Sequence, residues 1–203
     1  MLKKALSATG IVLTLVMFVP YLRSIHDGRT KPHLFSWIVW AIGTFTVFLA
    51  QLAGHGGWGA WPIGVSGLIT VYIALLAAFK RTHQSITRSD WWFLGAALGA
   101  LPCWFLTSNP LWAVVILTAV DLAGFGPTFR AAYRRPYDER MGFYAFAVIR
   151  NGVAIAALER HSLTTVLFPA AVGFACLVFV VMVFCRRRSP EISRPENRIS
   201  ADR

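Results

Sequence analysis

Apolar residues along this chain gather in long runs, and the charged residues gather between the runs instead of spreading along amphipathic faces. Allowing about 20 residues for each crossing of a hydrocarbon layer, the runs predict seven transmembrane helices: Met1–Tyr21, Leu34–Leu52, Trp58–Phe79, Trp91–Leu106, Leu111–Phe129, Met141–Leu158 and Leu163–Cys185. The fourth is expected to be the shortest. Lys3 and Lys4 ahead of an apolar run resemble the start of a secretory signal peptide, but no small-x-small cleavage site follows, so the run counts as helix 1. Start signals stand where helices should begin: Ser89 and Asp90 before helix 4, Asn109 with Pro110 before helix 5, and Ser162 before helix 7. After Arg188, two prolines and many charges with few apolar residues predict a disordered tail, 189–203.

Composition sharpens this to an all-α membrane protein in contact with the lipid bilayer. Of the 203 residues, 56% are hydrophobic and only 14% charged, and the mean hydropathy is +0.57. The net charge of +11 is no nucleic-acid footprint, because the basic residues sit at segment ends, as topology signals do. Alternate connections carry Arg23, Arg29 and Lys31, then Lys80, Arg81 and Arg88, then Arg130, Arg134, Arg135 and Arg140, then Arg186–Arg188; the opposite side has Lys3, Lys4 and Arg160. The positive-inside rule then predicts an outside N-terminus and a cytoplasmic C-terminus, in a plasma or bacterial inner membrane. Cys103, Cys176 and Cys185 read as small apolar packing residues, and the histidines have no metal-ligand spacing, so no metal and no cofactor are expected. Paired carboxylates, a Ser-His-Asp set and a phosphate-cradling glycine loop are all missing from the sequence, which argues against an enzyme.

The chain also repeats itself. Sliding it so that Phe18, Pro20 and Arg23 meet Phe125, Pro127 and Arg130 brings Pro62 onto Pro169 and Lys80-Arg81 onto Arg187-Arg188. Helices 1–3 and 5–7 thus read as two copies of one triple-helix unit, residues 1–82 and 110–188. Helix 4, within 83–109, supplies the inversion that keeps the copies parallel, and its Gly95-x-x-x-Gly99 with Ala96, Ala97 and Ala100 offers a small-residue packing face.

Two ionisable residues lie deep in apolar sequence: Asp121 in helix 5 and Arg150 in helix 6. Facing lipid, such a charge costs about 2.5–3.5 kcal/mol, so each should line a cavity or find a partner. Two arrangements satisfy this. In one, a fixed salt bridge locks helix 5 to helix 6. In the other, Arg150 takes an anionic or carboxylate group while Asp121 balances its charge or exchanges a proton. Their counterparts in the first copy are Thr14 and Gly43, so the charge is confined to one half. Asn151, its counterpart Thr44, and Ser66 with Thr70 are further candidates for binding a solute; each has the alternative of bonding a neighbouring helix or its own backbone. Trp37, Trp40 and most other tryptophans read as interfacial anchors, while Trp61 beside Pro62 is a candidate aromatic wall. Pro20 and Pro127 serve either as helix exits before the cytoplasmic loop or as hinges, Pro62 is a third candidate, and Pro169, inside helix 7, is the better kink.

The three-plus-one-plus-three plan, the outside N-terminus and the prolines near the cytoplasmic ends of helices 1 and 5 resemble the SWEET and PQ-loop superfamily of membrane transporters. The resemblance covers Ala5 to about Arg188. The namesake glutamine is replaced: Pro20 is followed by Tyr21 and Pro127 by Thr128. The resemblance implies a passive or proton-coupled carrier whose triples rock about proline hinges around a sugar-like or small polar or anionic solute. A homo-oligomer is compatible with it. A seven-helix receptor or interaction protein, as in the related-looking KDEL receptors, and a nicotinamide-riboside-type vitamin permease are the alternatives.

Overall fold

The computed structural model describes residues 1–29, 32, 34–80, 88–134, 136–137 and 141–189. Among them are seven α-helices and one 3-10 turn, and no strand: α1 (Leu2–His26), α2 (Leu34–Ala53), the 3-10 turn Gly57–Ala60, α3 (Trp61–Phe79), α4 (Arg88–Thr107), α5 (Pro110–Arg134), α6 (Met141–Ala157) and α7 (Leu163–Arg188). Five of these are long and apolar enough to cross a membrane: α1, α2, the 3-10 turn with α3, α5 and α7. Trp91–Thr107 and Met141–Ala157 are shorter apolar helices. The chain is therefore an integral membrane protein. Its shortest helix is α6, with 17 residues, and not α4, which takes Arg88, Ser89 and Asp90 into its first turn for a total of 20. The start of α5 is as expected, with the Asn109 carboxamide oxygen accepting from the Leu111 amide at 3.0 Å. At α7, Ser162 and Thr165 form a reciprocal capping box.

The prolines behave differently from one another. Pro20 and Pro127 are not helix exits, because α1 runs on to His26 and α5 to Arg134. Each removes one intrahelical donor well inside its helix. The Pro127 side chain lies outside the described residues. Pro62 stands at the first turn of α3, where its missing N–H is unneeded. Pro169 lies inside α7 and is buried. Beyond Ser189, the tail expected to be disordered also lies outside the described residues, as do Lys31, Arg81, Arg135 and Arg140 in the basic connections.

Hydrogen bonds at the helix ends fix the directions. Lys80 Nζ donates to Ile25 O at 2.5 Å, bringing the ends of α1 and α3 together, and Arg186 Nε donates to Tyr133 O at 3.2 Å, doing the same for α5 and α7. Lys3 Nζ donates to Leu158 O, so the start of α1 meets the end of α6. Gln51 Nε2 donates to Thr165 O at 2.6 Å, so the end of α2 meets the start of α7.

Side-to-side packing follows one order. α1 and α2 both lie against α3, and α5 and α6 both lie against α7; the ring closes through α1 on α6 and α2 on α5. α4 stands outside, on α5 and α2. Exchanging α1 for α5, α2 for α6 and α3 for α7 reproduces every one of the ring contacts.

Close approaches depend on small residues. A Cβ on Gly59 would fall within 2.6 Å of Leu158 Cα, and one on Gly10 within 2.7 Å of Pro62 Cγ. Gly57 combines a positive φ of 57° with the Glu159 carboxyl group directly in the way of any side chain. In α4 the expected glycine face does not pack. Nothing lies within 4 Å of a Cβ placed on Gly95 or Gly99, whereas Ala97 and Ala100, three residues apart on another face, are fully buried. Gly59→Ala should therefore lower stability by about 1–3 kcal/mol through overpacking. Gly99→Ala should leave stability unchanged or raise it by up to about 1 kcal/mol through helix propensity. Thermal unfolding of the two variants in one detergent checks the contrast, which equal losses would contradict.

Candidate functional site

Six helices line a half-open cavity of about 180 Å³, and α4 takes no part in it. α1 contributes Met17 and Phe18; α2 contributes Trp37, Trp40 and Thr44; α3 contributes Ser66 and Thr70. From the other side come Asp121, Gly124, Phe125 and Thr128 of α5, Phe143, Tyr144, Ala147 and Arg150 of α6, and Phe168, Val172 and Cys176 of α7. On α2, α3 and α7 these positions fall at spacings of three or four, and on α1, α5 and α6 adjacent pairs widen the stripe. The stripes run from the level of Arg150 toward the end where α2 and α6 begin.

Of the residues singled out from sequence, Asp121, Arg150, Thr44, Ser66 and Thr70 come together here, and Asn151 and Trp61 do not. Asn151 is 1% exposed, donates from Nδ2 to Ala147 O at 2.9 Å, and packs against Gly173 of α7. Lying next to Arg150 in sequence, it is turned about 100° away on the helix. Trp61 is 43% exposed on the outside of the bundle and packs on Phe48 at 5.4 Å.

Trp37 and Trp40 are the converse case. They are not interfacial anchors but cavity wall, with their rings edge to face at 5.1 Å and Tyr21 5.3 Å from Trp37. The signal was present as Trp37, Trp40 and Thr44 on one helical stripe.

Eight of the eighteen lining residues pair across the two halves. Under the alignment of Pro20 with Pro127, Met17 meets Gly124, Phe18 meets Phe125, Trp37 meets Tyr144 and Trp40 meets Ala147, and both members of each pair line the cavity. The charged positions break this correspondence. Thr14, opposite Asp121, is buried and donates to Gly10 O at 2.8 Å, and Gly43 stands opposite Arg150.

The polar groups are unevenly satisfied. Thr44 Oγ1 donates to Trp40 O at 2.5 Å, Thr70 Oγ1 donates to Gly67 O at 2.8 Å, and the two hydroxyls lie 3.0 Å apart. Arg150 is 6% exposed, yet its Nε and Nη1 have no hydrogen-bond partner among the described residues. Asp121 does not supply one: the ion pair among the described residues is Arg29 with Asp27, and no oxygen of Asp121 comes within 4.0 Å of Arg150. The fixed salt bridge between α5 and α6 is thus absent from this arrangement. Among the described residues, no group of three His, Cys, Asp or Glu could hold a metal ion.

Comparison with family models, with curated proteins and with solved structures finds no match to this chain.

Accessibility separates the two kinds of candidate. With the three native cysteines replaced by serine, a cysteine at Thr44 should react with a small charged thiol reagent, and a cysteine at Asn151 should stay protected. Equal labelling of both would contradict the placement of the cavity.

Proposed function

We propose that this chain is a carrier of a small polar solute, bound midway through the membrane between two parallel triple-helix units, α1–α3 and α5–α7, with α4 as the inversion helix. The observation that carries this reading is Arg150: a buried guanidinium without a protein partner, in a cavity walled by both units. Leaving hydrogen-bonding nitrogens of a buried charge unsatisfied is expensive, and groups that persist in that state are generally functional. The exchange symmetry of the ring supports the duplication, and the matched wall positions support a site on the axis between the units. The plan is similar to that of the SWEET and PQ-loop superfamily on architecture alone.

In this reading Arg150 holds a negatively charged group of the solute, Asp121 balances the guanidinium charge or exchanges a proton, and Thr44, Ser66 and Thr70 offer hydroxyls from the opposite wall. Pro20, Pro127 and Pro169, inside their helices, are the candidate hinges; Pro62, in a first turn, is the poorest of the four. The end bearing Arg23, Lys80, Arg134 and Arg186–Arg188 is cytoplasmic by the positive-inside rule, which puts Met1 outside. A receptor would keep its site open to one side only. The paired wall positions favour a carrier, because a site built on a twofold-like axis is shared by two bodies that can rock against each other.

Arg150→Gln and Asp121→Asn should both fold, as judged by monodisperse elution and an unchanged helical spectrum, and should lose solute flux into proteoliposomes by at least about tenfold, or about 1.4 kcal/mol. Proton coupling through Asp121 further requires that Asp121→Asn lose acceleration by a pH gradient. Full flux in both variants would remove the site from this cavity.

A further inference from the structure

The proposal here rests on reading the cavity as the solute site and names what the solute must be. We propose that the solute is a zwitterion, an α-amino acid with a compact apolar side chain, whose carboxylate lies on Arg150 and whose ammonium group faces Asp121 and the threonine hydroxyls.

Two opposite charges line one apolar cavity and do not touch. Asp121 and Arg150 have no nitrogen–oxygen approach within 4.0 Å, while Nε and Nη1 of Arg150 are buried without partners. In surroundings of low polarity such groups are drawn into contact unless something fits between them. The class of solute follows from what each alternative leaves behind. With Asp121 ionised, a simple anion on Arg150 would bring its charge up against the Asp121 carboxylate. A simple cation on Asp121 would leave Arg150 unpaired and add a second positive charge beside it. A neutral polyol offers hydroxyls but no charge to either. With both groups ionised, a solute with one charge of each sign, a few bonds apart, answers both and leaves the net charge of the cavity unchanged.

The opposite wall agrees with this orientation. The hydroxyl protons of Thr44 and Thr70 are already directed at protein oxygens, at Trp40 O, at Gly67 O or at each other. What they present to the cavity is therefore lone pairs. Acceptors suit an ammonium group, which has three protons to donate and none to accept. The apolar remainder of the wall, with Trp40, Phe125 and Phe168, fits a hydrocarbon side chain. Size limits that side chain: the cavity of about 180 Å³ is only slightly larger than the roughly 150 Å³ that admits benzene. An amino acid of about valine or leucine size fits within this volume.

The test uses the full chain in detergent and three ligands with one carbon skeleton, read by calorimetry. L-leucine carries both charges, 4-methylpentanoate lacks the ammonium group, and 3-methylbutylamine lacks the carboxylate. Leucine is expected to bind, with each analogue weaker by about thirtyfold or more, the effect of leaving one buried charge unpaired. Asp121→Asn should narrow the gap for the acid and Arg150→Gln the gap for the amine. The comparison on the unaltered protein stands even if either variant fails to fold. Binding of 4-methylpentanoate as tight as that of leucine would overturn the proposal in favour of an anion site. No binding of leucine at millimolar concentration would overturn it outright. Leucine binding without counterflow in proteoliposomes would sink the carrier reading and leave the zwitterion site standing. Flux of another solute without leucine binding would do the reverse.

Discussion

A guanidinium halfway along an apolar helix has to be kept out of hydrocarbon, and much of the packing of this bundle serves that requirement. α6, which carries Arg150, has 17 residues, about 26 Å of helix, and Arg150 stands near its middle. Side-chain snorkelling cannot span that depth cheaply. The alternative is enclosure. α6 lies against α1 on one side and α7 on the other, and α2 and α5 complete the ring opposite, so the Arg150 stripe faces inward and the residue is 6% exposed. The contacts of α1 with α6 and of α2 with α5 join the two triples, and without them the stripe would open to lipid.

Enclosure gives the cavity a repeated shape, and sequence divergence gives it an unsymmetrical chemistry. Phe18 with Phe125 and Trp37 with Tyr144 put aromatic rings at matched positions. Where Arg150 and Asp121 stand, the first unit has Gly43 and Thr14, and Thr14 spends its hydroxyl on its own helix. Charge therefore enters from α5 and α6, and hydroxyls enter from α2 and α3. A ligand shaped for such a site has one orientation, since reversing it would set its charged pole against lone pairs and its donors against a cation.

Helix number and the burial of Arg150 were legible in the sequence, because hydrocarbon imposes long apolar runs and makes any charge within them conspicuous. The expectation failed where a residue's meaning depends on azimuth and not on depth. Trp37 and Trp40 lie near a helix end, where tryptophan ordinarily anchors to the interface, yet they face inward with Thr44. Asn151 shares the depth of Arg150 but points at Gly173. The glycines of α4 have the spacing of a packing motif, but the neighbouring helices meet the face of Ala97 and Ala100 instead. Pro20 and Pro127 look like helix ends because the basic loop follows soon after, but the backbone carries its helix through both. Depth can be read from a one-dimensional pattern, whereas azimuth is decided by which neighbours arrive.

Among the described residues, three hydrogen bonds cross between α1–α3 and α5–α7, all at one end. Lys3 with Leu158, Gln51 with Thr165 and the Glu159 amide with Gly56 O all cross between the triples at the end where α1 and α7 begin. At the other end, the described hydrogen bonds stay within a triple: Lys80 with Ile25 in the first, Arg186 with Tyr133 and Arg187 with Pro136 in the second. The cavity lining reaches from Arg150 toward this second end, where 81–87 and 138–140 lie outside the described residues. On the carrier reading, the arrangement is closed outside and the step to the opposite state must break the crossing bonds. Interhelical hydrogen bonds in membranes average about 0.6 kcal/mol, so three of them hold the closed end by only about 2 kcal/mol. A solute that binds the two states with affinities differing by about thirtyfold supplies as much. On that reading, ties of this size are a bias that ligand binding can reverse.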